Sequence, residues 1–152
     1  MHRSSARRGP RTSSGSTVTA ASRDSGTRAV LDASAVIHAL VYRNSDAQSW
    51  LAKTAAWPTH VYVEAAHVVL RLQRTGRISL GRARLVLDGL HAVDADTYPV
   101  ESLVRPAWET AVSRRLSVYD ACYVVLAEAL DVPLVTADRR LAASTTNAVL
   151  LT

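Results

Sequence analysis

Residues 117–142, SVYDACYVVLAEALDVPLVTADRRLA, constrain the fold of this chain more than any other stretch. They predict a helix, a tight turn, a buried strand and the start of a second helix. Ser117 and Asp120 have the Ser/Thr-x-x-Asp/Glu spacing of a capping box at a helix N-terminus. Tyr119, Cys122, Tyr123, Leu126 and Leu130 recur at intervals of three and four, which gives that helix one apolar face. Asp131 ends it, and Pro133, with no N–H to donate, forbids its continuation. Leu134, Val135 and Thr136 are too few for a helix and suit a buried strand. Asp138 stands where that strand hands over to Arg139, Arg140 and Leu141. Asp120 and Asp138 therefore mark two element ends, and in an open α/β sheet ligands bind beyond the carboxyl ends of the strands.

The rest of the chain repeats this alternation. Ala29 to Asp32 is a short apolar run ending in an acid, Ser34 can cap the next helix, and Val36, Ile37, Leu40 and Val41 keep helical spacing. Ser45 or Asp46 can cap a second helix with Trp50 and Leu51 on its inner side, and Pro58 marks a break. Thr59 to Gly76 reads as a helix with Tyr62, Val63, Val69, Leu70 and Leu72 as its apolar content and Glu64 in its first half. Ser79 caps another. Ala92 to Val100 predicts a weaker second strand, a helix follows from Glu101 or Ser102 to about Arg115, and Ala148 to Leu151 closes the chain as a strand. Strands separated by helices predict an α/β fold, a parallel central sheet with helices on both faces.

Charge divides the chain in two. Residues 1–28 carry six arginines against one acid, Asp24, and Val18 is their only branched aliphatic residue. This composition predicts a disordered, basic Arg/Ser-rich extension, and it lacks the apolar run of a secretory leader. Residues 29–152 carry eleven arginines and one lysine against twelve acids, so the expected folded domain is neutral. The pI of about 10 therefore describes the extension and gives no basic nucleic-acid face to the domain. No run approaches the roughly 18 apolar residues of a membrane span. A single cysteine, Cys122, excludes an internal disulfide and fits a reducing, cytoplasmic setting.

Four acids stand at informative places: Asp32 and Asp138 just past strands, Asp120 at a helix start, and Glu64 within a helix. If the strands before Asp32 and Asp138 are neighbours, all four can meet at one edge. Asp32, Asp120 and Asp138 also have a plain use as helix caps. Glu64 has none, because an acid among apolar neighbours needs a partner or a metal. Carboxylates gathered in one pocket repel one another, and a divalent cation removes that cost. Mg²⁺ takes oxygen ligands and keeps several waters, which suits phosphodiester chemistry.

The pieces VLDAS (30–34) and VEAAHVVLRL (63–72), and above all residues 117–142, resemble a PIN domain of the VapC toxin type across roughly residues 29–151. The resemblance implies a PIN domain over residues 29–152, with a parallel α/β sheet, an acidic site binding Mg²⁺ or Mn²⁺, and endoribonuclease activity. It places the family's acids on Asp32, Glu64, Asp120 and Asp138, with Asp32, Asp120 and Asp138 holding the metal and Glu64 completing the site or orienting water. Ser34 and Thr136 become the accompanying hydroxyls. Apart from the resemblance, Arg139 or Arg140 can neutralise a phosphate oxygen, with a solvated side chain as the plain alternative at a helix start. The resemblance also implies a VapB-type antitoxin, a homodimer, and cleavage of tRNA or rRNA that stops translation. Trp50, Trp57 and Trp108 are candidates for the protein contacts.

Other chemistries fit less well. Glu64 and His67 match half of a diiron E-x-x-H motif, but no second half exists, so His60 and His67 read as packed or exposed side chains. Receiver domains and haloacid-dehalogenase phosphatases need a lysine near the phosphoryl group, and Lys53 is the chain's only one. A nuclease of RNA processing outside toxin–antitoxin systems stays open. So does a catalytically idle RNA-binding or interaction module, although a binder of polyanions gains nothing from an acidic pocket.

Overall fold

The computed structural model describes residues 29–152, and the predicted basic extension lies outside the described residues. Five strands, β1 (Ala29–Leu31), β2 (Ala55–Pro58), β3 (Ala95–Tyr98), β4 (Leu134–Thr136) and β5 (Ala148–Leu150), form one sheet. All pairings are parallel and the order is β3-β2-β1-β4-β5. The α/β expectation holds. Seven α-helices connect the strands: α1 (Ala33–Leu40), α2 (Ser45–Leu51), α3 (Val61–Arg74), α4 (Leu80–Ala92), α5 (Val104–Arg114), α6 (Val118–Leu130) and α7 (Arg139–Ala142).

The strand order positions the site. From β1 the chain crosses to β2 on one side, whereas β4 lies on the other, so the order reverses between β1 and β4. A crevice opens at such a reversal beyond the carboxyl ends. Val30 pairs with Leu134 and Leu31 with Val135, and the next step along both strands sets Asp32 beside Thr136. The Asp32 N–H donates to the Val135 carbonyl at 3.2 Å.

Burial explains the sheet. Ala29, Val30, Leu31, Leu134 and Val135 are fully covered, as expected of parallel strands with helices on both faces. Helix α6 packs on β1, β2 and β4 and sinks Ala121, Cys122, Tyr123, Val124, Leu126 and Ala127 into the core. Asp131 ends it in the left-handed region at φ 53°, which Asp tolerates better than most residues.

Several expectations are corrected. The sequence reading missed β2, because two alanines carry little strand propensity and Pro58 read as a break. Pro58 is the last residue of that strand, and Trp57 is a fully buried core residue. Asp32 rather than Ser34 caps α1, and Asn44 rather than Ser45 or Asp46 caps α2. The inner face of α3 is Val61, Ala65, Val69 and Leu72, while Val63 and Leu70 face outward. Tyr119, placed on the apolar face of α6, is exposed in its first turn. The helix expected from Glu101 or Ser102 is a 3-10 turn at Val100–Ser102 followed by α5. Lys53 stands just before β2, at the edge opposite the crevice.

Candidate active site

Asp32 leaves the end of β1 and caps α1. Its Oδ1 accepts from the Ala35 N–H at 2.8 Å and from the Ser34 hydroxyl at 2.7 Å, and its Oδ2 accepts from the Thr136 hydroxyl at 2.6 Å. Each carboxylate oxygen has two acceptor directions, so Oδ1 is filled and Oδ2 keeps one. The side chain is almost completely buried, and burial pushes its pKa from 3.8 up to about 6. The Thr136, Ser34 and Ala35 bonds oppose that rise, and the charge of Asp120 adds to it.

The two hydroxyls join β1 to the opening of α7. Ser34 Oγ accepts from the Ala137 N–H at 2.8 Å, and Thr136 Oγ1 accepts from the Asp138 N–H at 2.9 Å. Ser34 thus bridges elements instead of capping one. Asp138 is exposed, and its Oδ1 accepts from the N–H groups of Arg140 (2.7 Å) and Leu141 (3.2 Å), which caps α7. Its Oδ2 has no hydrogen-bond partner among the described residues.

Glu64 enters from the first turn of α3, half-buried. The Tyr123 hydroxyl on α6 donates to its Oε2 at 2.5 Å, and His60 Nε2 stands 3.5 Å from the same oxygen. Burial raises the Glu64 pKa, the Tyr123 bond opposes this, and the charges of Asp120 and Asp32 add to it. Asp120 opens α6, where its backbone N–H donates to Ser117 Oγ at 3.0 Å. The reciprocal bond of a full capping box is not formed, and its carboxylate has no hydrogen-bond or ion-pair partner among the described residues.

Asp32, Glu64 and Asp120 therefore share one electrostatic neighbourhood, and Asp138 meets it only through its backbone N–H, which donates to Thr136. No lysine or arginine pairs with any of the four among the described residues. The donors are all carboxylate or hydroxyl oxygens, the set that hard divalent cations take, and a cation would relieve the repulsion that helps raise Asp32 and Glu64. The chemistry of the donor set therefore fits such an ion. Among the described residues no group of three or more His, Cys, Asp or Glu side chains stands close enough together to hold a metal ion as placed. A cavity of about 540 Å³ at the opposite edge, lined by Leu40, Leu51, Lys53, Thr54, Asp94 and Asp96 among others, holds none of the four acids.

Residues 29–145 match the family model described as PIN domain. Ribonuclease VapC9 of Mycobacterium tuberculosis is 38% identical over 112 residues, covering 74% of this chain and 87% of the relative. Ribonuclease VapC1 of the same organism is 36% identical over 120 residues, covering 76% and 89%. The chain belongs to the PIN domain family, among the VapC ribonucleases. Its fold is also similar to the crystal structure of PAE2754 from Pyrobaculum aerophilum, with TM-score 0.66, 26% identity and coverage of 81% of this chain and 88% of that one.

In this PIN domain the structure brings Asp32, Glu64 and Asp120 together and leaves Asp138 at the rim as a helix cap. Arg139 and Arg140 are exposed at the start of α7. His67 is exposed as expected. Tyr123 is the partner of Glu64 that the sequence hid, since its spacing matched the apolar face of α6. Cys122 is buried beside it, and burial, with the charge of Glu64, pushes its thiol up to about 11, so it stays protonated at neutral pH. No helix among the described residues is long and apolar enough to cross a membrane.

Proposed function

We propose that this protein is a metal-dependent endoribonuclease toxin of the VapC type, which cuts tRNA or rRNA and so stops translation. A VapB-type antitoxin neutralises it. The observation that carries this reading is the shared electrostatic neighbourhood of Asp32, Glu64 and Asp120 at the β1–β4 crevice, with no lysine or arginine paired to them among the described residues. A module that only binds RNA would place repulsion there and gain nothing from it.

Asp32 through the open direction of Oδ2, Asp120 through its unpartnered carboxylate and Asp138 through Oδ2 would hold one Mg²⁺ or Mn²⁺. When bound, that ion supplies Lewis-acid polarisation of the scissile phosphate. Glu64 orients the attacking water and accepts its proton, a task suited to a carboxylate whose pKa is raised. Ser34 and Thr136 hold Asp32 in place, and Arg139 offers its guanidinium to a phosphate oxygen.

The protein also forms a homodimer in this reading. Trp57 is core and Trp50 half-buried beneath Lys53, which leaves Trp108 as the tryptophan available to a partner. It lies between Val104 and Val112 on one exposed stripe of α5. The stripe is symmetric about Trp108, so a two-fold axis there sets Val104 of one copy against Val112 of the other. That self-match supports a second copy of this chain as the occupant of the face.

The test is incubation of the purified protein, free of antitoxin, with total RNA and Mg²⁺ or Mn²⁺, beside Asp120→Asn and an EDTA control. Discrete fragments that vanish in both controls are the expected outcome. A folded protein that binds neither ion sinks the site assignment.

A further inference from the structure

We infer that His60 and Tyr123 are positioning residues that brace Glu64 through Oε2 and reserve Oε1 for the attacking water. This rests on the reading of Glu64 as the water-orienting residue.

Two donors from different elements converge on one oxygen. The Tyr123 hydroxyl reaches Oε2 at 2.5 Å from α6, a short bond of the kind an ionised acceptor makes. His60 Nε2 stands 3.5 Å from the same atom, from the residue that precedes α3. Among the described residues Oε1 has no hydrogen-bond partner. A carboxylate held by one oxygen is fixed in direction and free at the other, which is what orienting a water requires.

His60 itself points to this role. It is only 9% exposed, and its ring nitrogens make no close hydrogen bond among the described residues, the Tyr119 backbone being a looser neighbour. Its ring is tilted against Tyr123, with centroids 4.8 Å apart, and against Tyr119 at 5.9 Å. If packing were the whole purpose, an apolar ring would fill this place without burying two polar nitrogens. The 3.5 Å separation is that of a contact which tightens when substrate engages, since such hydrogen bonds are often long in its absence. Burial lowers the His60 pKa, opposed by the Tyr119 backbone and the Asp120 charge, and burial with the Glu64 charge raises the Tyr123 phenol, which keeps its proton.

The experiment compares wild type with Tyr123→Phe, His60→Phe, His60→Gln and Glu64→Gln. The probe is a fluorophore–quencher RNA oligonucleotide carrying the sequence that wild type cuts in total RNA, with Mn²⁺ present. Tyr123→Phe, which keeps the ring and loses the hydroxyl, is expected to lower kcat by about tenfold or more with KM within about twofold. His60→Phe is expected to lower kcat while holding or raising Tm, because it removes two buried polar nitrogens. His60→Gln, which keeps an N–H donor, recovers most of that kcat. Wild-type kcat in both Tyr123→Phe and His60→Phe, with Glu64→Gln inactive, overturns the brace and leaves the role of Glu64 standing. An active Glu64→Gln overturns the reading of Glu64 and the brace with it. Without turnover, the Tm values of wild type, Tyr123→Phe, Glu64→Met and the double variant decide. Non-additive shifts support the brace, and additive shifts overturn it.

Discussion

Thr136 donates its hydroxyl proton to Asp32 Oδ2 at 2.6 Å and so fastens the end of β4 to the end of β1. The same hydroxyl accepts from the Asp138 N–H, which makes it the hinge between two of the proposed ligands. Thr136→Val keeps the shape and removes both the donor to Asp32 and the acceptor of the Asp138 N–H. A lost hydrogen bond to a charged group costs about 1.5–3 kcal/mol. Urea unfolding should show a loss of that size, together with much weaker RNA cleavage. Unchanged stability would mean that Asp32 does not depend on this bond.

Stability without metal should depend on pH through Asp32. Its folded pKa, about 6, stands above its ordinary 3.8, so the folded protein holds a proton that the unfolded chain has released. The favourable contribution is complete below about pH 4 and is lost as pH climbs toward 6, a swing of roughly 3 kcal/mol from the linkage relation. Glu64, also raised, acts in the same direction. In EDTA, the stability of wild type relative to Asp32→Asn should therefore fall between pH 4 and pH 7. Mg²⁺ or Mn²⁺ should raise the wild-type Tm at neutral pH, and less so near pH 5, where a protonated Asp32 no longer attracts a cation. A pH-independent difference would contradict the burial that sets this pKa.

How much of this was legible follows from the range of each interaction. The strand–acid junctions at Asp32 and Asp138 and the whole α6–β4 unit are local patterns of periodicity, capping and proline, and the chain states them directly. The parallel α/β architecture follows from the alternation. What stayed hidden depends on neighbours distant in sequence. Tyr123 looked apolar because its hydroxyl partner, Glu64, lies 59 residues away. Ser34 looked like a cap because one of its true partners, the Ala137 N–H, is brought to it by sheet register from 103 residues away. Strand β2 was invisible because its alanines are dictated by helix α6 packed over them and not by strand propensity.

Asp138 has two separable duties, and substitutions can part them. Its Oδ1 caps α7, while its charge and Oδ2 are what the proposed metal site would use. Asparagine caps a helix as well as aspartate does, whereas alanine costs about 1 kcal/mol. Asp138→Asn should leave thermal unfolding within a degree or two of wild type and still lose metal-dependent cleavage by about tenfold or more. Asp138→Ala should lose both. Full cleavage in Asp138→Asn would confine Asp138 to capping and remove it from the ligand set.

The dimer reading concentrates on one side chain. Trp108 is 54% exposed, with Val104 at 47% and Val112 at 61% one turn to either side. Solitary exposed apolar residues are ordinary, but three on one helical stripe, centred on a tryptophan, have the composition of an interface core. Trp108→Glu places a charge at the centre of the pair, where each copy would bury it against its twin. Circular dichroism and Tm should barely change, because Trp108 supports nothing in its own core. Light scattering after gel filtration should report a shift from about twice the chain mass of 16.4 kDa toward that mass itself. If the variant stays a dimer, the two-fold contact lies elsewhere and α5 is not its seat.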